Sequence, residues 1–218
     1  NVLLTWPLLI GIAAMHLWPT KGMQAATLRA SFAGRQWLGW CLAAAVPSLL
    51  AVGALLFYNW LRFANPLDFG YLTANVADSL APDLHTYGQF DLHYLAKNFW
   101  AMWLAGPQWS AQNNFFQPDP AGMSLLFTSP ALIYLGLARR RDPLTLSAWL
   151  AFALLLVPLL LYYNTGWWQF GYRFSLDFMT PLMVLLAVAA GQRVSGAMRL
   201  LIGLGVVVNL AGVIWWHA

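Results

Sequence analysis

The chain has 218 residues, of which 61% are hydrophobic and 8% are charged, and its formal net charge is +4. Soluble domains usually carry about a quarter charged residues, so the composition excludes an ordinary soluble domain. It predicts an all-α integral membrane protein, because helices satisfy their own backbone hydrogen bonds in lipid. The one cysteine, Cys41, excludes an internal disulfide and gives no basis for a metal site.

The first apolar run starts at Asn1 without the charged segment that opens a signal peptide. We therefore expect residues 1–218 to form a single transmembrane domain that is the C-terminal part of a longer chain. A spanning helix needs roughly 20 mostly apolar residues, and about six runs meet this requirement. The predicted spans are 1–18, 37–61, 122–138, 144–163, 177–192 and 199–216.

The charges divide between the two sets of connections that six alternating spans create. Eight of the eleven basic residues fall in the connections 19–36, 139–143 and 193–199, namely Lys21, Arg29, Arg35, Arg139, Arg140, Arg141, Arg193 and Arg199. Six of the seven acids fall on the other side, namely Asp68, Asp78, Asp83, Asp91, Asp119 and Asp177. The positive-inside rule predicts that the basic connections are cytoplasmic and that 62–121 and 164–176 are extracytoplasmic. The basic excess is thus a topology signal and a contact for membrane lipids, and no nucleic acid is expected as a partner.

The long outer segment 62–121 contains DLHYLAKNFWAMWL (91–104), which has helical periodicity. Leu92, Leu95, Phe99 and then Met102 or Trp103 form an apolar stripe, and Asp91, His93, Lys97 and Asn98 are predicted to lie largely opposite it. This pattern predicts an amphipathic helix in the membrane plane. Ordinary packing against the protein's own bundle remains an alternative.

Two similar triplets in this segment contain candidate metal ligands. They supply Asp83, His85, Asp91 and His93. Carboxylates and imidazoles bind divalent metals, but this spacing matches no established ligand pattern. We therefore expect four exposed polar residues rather than a metal site, and no cofactor.

Two clusters combine an arginine with aromatic residues at the predicted outer face. The first, FYNWLRFANPLDFGY (57–71), contains Tyr58 and Arg62, which would anchor the helix at the interface or bind an anion such as a lipid phosphate. The second, GWWQFGYRF (166–174), contains Trp167, Trp168, Tyr172 and Arg173, with Asp177 four residues after Arg173. Charges at such a depth mostly face the protein interior or a wet cavity, although Arg173 and Asp177 would also neutralise each other. The tryptophan faces suit sugar rings or isoprenoid chains, and Gly166 and Gly171 would let the backbone approach a ligand.

A family resemblance follows from three segments that occur in order beside the spans. FYNWLRFANPLDFGY, FFQPDPAGMSLLFTSPALIYLG and NTGWWQFGYRFSLDFMTPLM resemble the C-terminal half of bacterial polytopic glycosyltransferases of the GT-C superfamily, of the family 39 or protein-mannosyltransferase-like kind. The resemblance covers about residues 57–185. It implies an enzyme of the bacterial cytoplasmic membrane that moves a sugar from a polyprenyl-phosphate carrier to an acceptor at the outer face.

The resemblance also implies where the catalytic acid lies, namely in a first outer loop that would precede Asn1. The catalytic residue is therefore unknown in this sequence, and none of the outer aspartates matches that motif position. Arg173, Arg62, Tyr172, Trp167, Trp168, Asp177 and Tyr58 are the expected substrate-binding residues. Arg173 or Arg62 would stabilise the phosphate as the sugar leaves.

Other functions compete with this one. A non-catalytic subunit of a larger membrane complex would use the aromatic belts and the in-plane helix as contact surfaces for other protein subunits. A transporter is disfavoured, because the spans contain almost no charge and no inverted repeat with paired broken helices. The sequence does not indicate the sugar, the acceptor or the oligomeric state.

Overall fold

A computed structural model describes residues 2–17, 26–70, 76–111, 114–139, 142–166, 168–191 and 193–217. These residues are mostly helical, as predicted. Four helices in these ranges are long and apolar enough to cross a membrane, namely Cys41–Phe63, Pro143–Leu161, Arg173–Ala190 and Gly196–His217. They correspond to four of the six predicted spans and are consistent with an integral membrane protein.

The bounds of the α-helices and strands follow in chain order. They are α1 (Trp6–Leu17), α2 (Ala26–Phe63), α3 (Ala81–Tyr87), α4 (Leu95–Trp103), β1 (Gln108–Ser110), β2 (Phe115–Gln117), α5 (Leu125–Thr128), α6 (Pro143–Leu161), α7 (Leu176–Ala190) and α8 (Gly196–His217). Short 3-10 helices occupy Val2–Thr5, Leu92–Tyr94, Pro130–Leu137 and Arg173–Ser175.

The other two predicted spans are not single long α-helices. In the run 1–18, a 3-10 helix precedes α1, which has only 12 residues. The run 122–138 breaks at Ser129, whose backbone angles are φ −140° and ψ 66°. Pro130 explains this break, because proline disfavours the α conformation in the residue before it. Six membrane crossings therefore stay a prediction.

The predicted cytoplasmic connection 19–36 is shorter than expected. Helix α2 begins at Ala26 and continues without interruption to Phe63, so residues 26–36 belong to the helix that contains the span. Alanine and other good helix formers extend the helix beyond the apolar run. Apolar length alone had placed the start near residue 37.

Helix α6 lies at the centre of the packing and contacts α1, α4 and α7. Its Phe152 meets Phe178 of α7 edge to face, with ring centroids 5.3 Å apart. Leu155 of α6 and Leu182 of α7 are fully or almost fully buried in the same core. Since lipid is as apolar as these side chains, close packing holds such helices together.

Helix α8 packs through a narrow face of small residues. A β-carbon at Gly205 would lie 3.4 Å from both the Thr128 carbonyl oxygen and the Pro130 ring, whereas Gly203 has nothing within 4 Å. On the same face, Asn209 Nδ2 donates to the carbonyl oxygens of Thr128 and Gly205, each at 2.7 Å. This face of α8 thus packs against the broken segment 125–137. There, backbone groups such as the Thr128 carbonyl would otherwise lack a hydrogen-bond partner.

The predicted helix at 91–104 is present as the 3-10 helix Leu92–Tyr94 followed by α4, and α4 packs against α6. Asn98 is fully buried, and its Nδ2 donates to the carbonyl oxygens of Leu160 at 2.9 Å and Tyr162 at 2.6 Å. Leu92, Leu95 and Phe99, three members of the predicted apolar stripe, are exposed, whereas Met102 is fully buried. Asn98 therefore packs against the end of α6, and the three exposed apolar residues lie on the outer surface of this segment. An orientation in the membrane plane stays a prediction.

Candidate functional site

The candidate site lies where residues 119–124 meet residues 164–173, and we call these two segments together the junction. Gln169 N–H donates to the Pro120 carbonyl at 3.0 Å, and Met123 N–H donates to the Phe170 carbonyl at 2.9 Å. Tyr172 N–H donates in turn to the Met123 carbonyl at 3.1 Å. These hydrogen bonds therefore hold the backbone of residues 169–172 in place just before α7.

Gln169 is the centre of the junction, and sequence reasoning missed it. Its side chain is buried, and its Nε2 donates to the carbonyls of Ala121 at 2.6 Å and Thr165 at 3.0 Å. Its Oε1 accepts the Arg173 N–H at 3.2 Å. The one available signal was an uncharged polar residue among aromatics, since a buried amide needs several partners.

Two glycines make room for Gln169. Gly122 and Gly166 both have φ +103°, and a β-carbon would come within 2.7 Å and 2.6 Å of the Gln169 side chain. Gly166 had been predicted to let the backbone approach a ligand, but the structure places it against Gln169. Gly171 likewise approaches Thr128, whose Cγ2 would lie 3.2 Å from an added β-carbon.

Arg173 begins the last turn before α7 and has an exposed side chain. Its guanidinium lies over the ring of Phe174, 5.2 Å from the centroid. Asp177 follows in the first turn of α7 and is half-buried. Gln169 holds the backbone N–H of Arg173, so an exposed cationic side chain is attached to a constrained backbone where the apolar span starts.

The aromatic residues that were predicted to bind substrate have different surroundings. Trp168 is exposed, and its ring centroid lies 6.0 Å from that of Trp215 near the end of α8. Trp167 lies outside the described residues. Trp168 therefore presents exposed ring surface a few residues before Arg173 in the sequence.

Tyr172 is buried, with 2% of its surface exposed, and its ring packs edge to face with Phe174. Within the described part of the chain, its hydroxyl has no hydrogen-bond partner. Burial, with a smaller contribution from the charge of Asp177, raises the pKa of Tyr172 to about 12. The hydroxyl therefore stays protonated at neutral pH and keeps a proton to donate.

Arg62 and Tyr58 lie apart from the junction in their contacts. Both are exposed at the end of α2, and the Arg62 guanidinium lies 5.0 Å from the ring centroid of its neighbour Phe63. No hydrogen bond, ion pair or ring contact among the described residues joins either one to Arg173. The predicted substrate role of all these residues stays a prediction, and Arg173, Tyr172 and Trp168 are the ones that lie in the described part of the junction.

Two of the four candidate metal ligands have local structural roles. Asp91 Oδ1 accepts the His93 N–H at 2.7 Å and so caps the 3-10 helix Leu92–Tyr94. The His93 ring stacks on Tyr87 with centroids 4.0 Å apart. Across the ranges that the structure describes, no three side chains of His, Cys, Asp or Glu converge. The expectation that the repeated Asp-Leu-His triplet binds no metal stays a prediction.

A cavity of about 410 Å³ lies beside the break at Ser129, between α7 and α8. Thr128, Ser129 and Asn209 supply polar groups to its wall, and the remaining lining is apolar, including Leu132, Met183 and Val206. Backbone that is irregular at membrane depth is tolerated where protein buries it or a cavity adjoins it. The cavity is thus a feature of the broken segment and is suited to an apolar chain.

Together these features are consistent with an integral membrane protein that has an exposed arginine at one end of its bundle. Comparison with protein-family models, curated proteins and solved structures finds no match to this chain.

Proposed function

We propose that the protein is a membrane glycosyltransferase, or its membrane-embedded C-terminal half, which moves a sugar from a polyprenyl-phosphate carrier to an acceptor at the outer face. The proposal includes six crossings, with the broken segments 2–17 and 125–137 completing the four long helices. It also includes the charge-based sidedness, which puts the junction outside the cytoplasm.

One observation supports the proposal most strongly, namely the exposed guanidinium of Arg173 on a backbone that the junction holds in place. Arginine binds phosphate bidentately and keeps its charge in a partly dry setting. At the start of a span, such a group meets the phosphate of a lipid carrier at its natural depth.

The proposed chemistry divides between binding and transfer. Arg173 would bind the phosphate and stabilise the negative charge that it gains as the sugar departs. Trp168 would present a flat face to the sugar, and the cavity beside Ser129 would accept part of the isoprenoid chain. The acceptor hydroxyl also requires a carboxylate to take its proton, and no residue of this chain is assigned to that role.

A binding experiment tests the phosphate site. The protein in lipid nanodiscs would be titrated with polyprenyl monophosphate and, in parallel, with the neutral polyprenol. We expect Arg173→Ala to weaken phosphate binding by about 10- to 150-fold, which corresponds to the loss of a charged hydrogen bond of about 1.5–3 kcal/mol. Arg173→Lys should recover part of the affinity, because lysine keeps the charge without the bidentate geometry.

Arg193→Ala is the matched control, because Arg193 is also exposed but lies at the opposite end of α7. Equal binding of polyprenol and polyprenyl monophosphate, or equal losses in the Arg173 and Arg193 variants, would refute the phosphate site. Sugar transfer at the normal rate in Arg173→Ala membranes would remove Arg173 from the mechanism.

A specific feature also favours the second candidate, a non-catalytic subunit of a membrane complex. No residue in the most apolar stretch of Cys41–Phe63 is buried by the rest of the described protein. Such a surface suits a protein neighbour as well as lipid. If the subunit function is correct, a complex of fixed stoichiometry should survive mild detergent, and loss of α2 contacts should dissociate it.

A further inference from the structure

The hairpin β1–β2 exposes three aromatic side chains outside the junction. Trp109, Phe115 and Phe116 are 57%, 69% and 55% exposed. Trp109 pairs directly with Phe116, and their rings meet edge to face with centroids 5.1 Å apart. Exposed aromatic surface of this extent usually marks a contact with another protein or with a membrane.

The distribution of aromatic residues over the two faces of the hairpin distinguishes a protein partner from a membrane. Directly opposite residues in a strand pair share a face, and neighbouring residues along a strand alternate. Trp109 and Phe116 therefore lie on one face, and Phe115 lies on the other with Ser110. A partner protein that docks on one face leaves an aromatic residue of the other face in water, whereas immersion in lipid covers both.

The absence of charged side chains around the hairpin favours lipid as its partner. Residues 98–118 contain no Asp, Glu, Lys, Arg or His. Tryptophan and other aromatic residues favour the boundary between headgroups and acyl chains, where amide groups such as those of Gln and Asn still find water. Without cations, such a surface gains nothing from anionic lipids.

The base of the hairpin is hydrogen-bonded to the junction. Gln108 Nε2 donates to Asp119 Oδ2 at 2.6 Å, and Ser124 N–H donates to the Ala105 carbonyl at 2.7 Å. The segment 119–124 belongs to the junction, which ends at the residue where the apolar span Arg173–Ala190 begins. The hairpin is therefore tied by hydrogen bonds to the segment from which a spanning helix starts, near one end of that helix.

We infer that the strands Gln108–Ser110 and Phe115–Gln117 insert into the lipid boundary of the protein's own membrane, with aromatic side chains on both faces of the strand pair acting as a wedge. The partner is the neutral lipid surface around the bundle. This inference is independent of the proposed glycosyltransferase function, because it requires only the membrane and the hairpin.

Spin-label depth measurements test the inference on the whole chain in phosphatidylcholine vesicles. In a Cys41→Ser background, nitroxides would be attached at Phe115→Cys or Phe116→Cys, one on each face. Asp78→Cys provides an exposed reference in the polar outer segment, and Val207→Cys provides an exposed reference in the apolar middle of α8. We expect both hairpin labels to lie about 5–10 Å below the phosphates, between the two references. Added phosphatidylglycerol should not change that depth.

Two results would overturn the inference. A hairpin label with the water accessibility of the Asp78 reference would place the hairpin outside the lipid. A label on either face that is shielded from both oxygen and a polar nickel complex would indicate a protein partner, including a second copy of this chain.

A second measurement uses the unsubstituted protein, so no substitution can alter the result. Phosphatidylcholine with a photoreactive diazirine near its glycerol should form adducts on the peptide that contains Trp109 and Phe116. Adducts on α8 without adducts on this peptide would also overturn the inference.

Discussion

Replacement of Gln169 by leucine removes the centre of the junction while keeping a side chain of similar size. Three hydrogen bonds disappear, namely those to the Ala121 and Thr165 carbonyls and from the Arg173 N–H. Each bond contributes about 1 kcal/mol, and partners left unpaired in a buried site add to the loss. We therefore expect the free energy of unfolding to fall by about 3–4 kcal/mol.

Unfolding in mixed micelles with increasing SDS, followed by tryptophan fluorescence, would measure this change. Gln117→Leu is the matched control, because Gln117 is half-buried in β2 and no side-chain hydrogen bond is described for it. The control should change the free energy by less than about 0.5 kcal/mol, as surface substitutions usually do. Similar values for the two variants would show that the hydrogen bonds of Gln169 do not hold the junction together.

Two further predictions concern other parts of the bundle. Gly205→Leu should separate α8 from the broken segment and lower the free energy of unfolding by about 1–3 kcal/mol, as overpacking does, whereas Gly203→Leu should have little effect in the same SDS titration. The second prediction concerns Asp142, which caps the start of α6. Burial alone would raise the pKa of Asp142. Hydrogen bonds from the Thr145 N–H and hydroxyl outweigh this effect and lower the pKa below the usual 3.8. Its contribution to stability is therefore complete above the unfolded pKa and is lost as the pH falls through the lower folded pKa. Asp142→Ala should cost about 1 kcal/mol at neutral pH and remove this part of the acid dependence, and an unchanged pH profile would contradict the assigned cap.

Sequence patterns located the long helices well because apolar length is a local property. The predicted spans 144–163, 177–192 and 199–216 correspond closely to α6, α7 and α8. The same reasoning did not foresee the break at Ser129, since a proline inside an apolar run is compatible with a kink or with an interruption. Only the packing of Gly205 and Asn209 against the freed carbonyl shows how the interruption is stabilised.

The candidate site was predicted only in part. Arg173 stands where its charge beside an apolar run indicated, but Gln169 was not recognised. Asn98 was predicted to lie opposite the apolar stripe, but its burial and its hydrogen bonds to the end of α6 were not predicted. Both amides bond to backbone groups whose positions no local pattern reveals.

The sequence by itself determined that this is a helical membrane protein, because the scarcity and uneven distribution of charge are properties of composition and order. The tertiary structure alone decided which polar groups are buried and what they hold together. The reason is separation along the chain: Gln169 bonds to a carbonyl 48 residues away, and Asn98 to one 62 residues away. Hydrogen bonds between residues so far apart in the chain form only when folded segments meet. A pattern among neighbouring residues therefore does not reveal them.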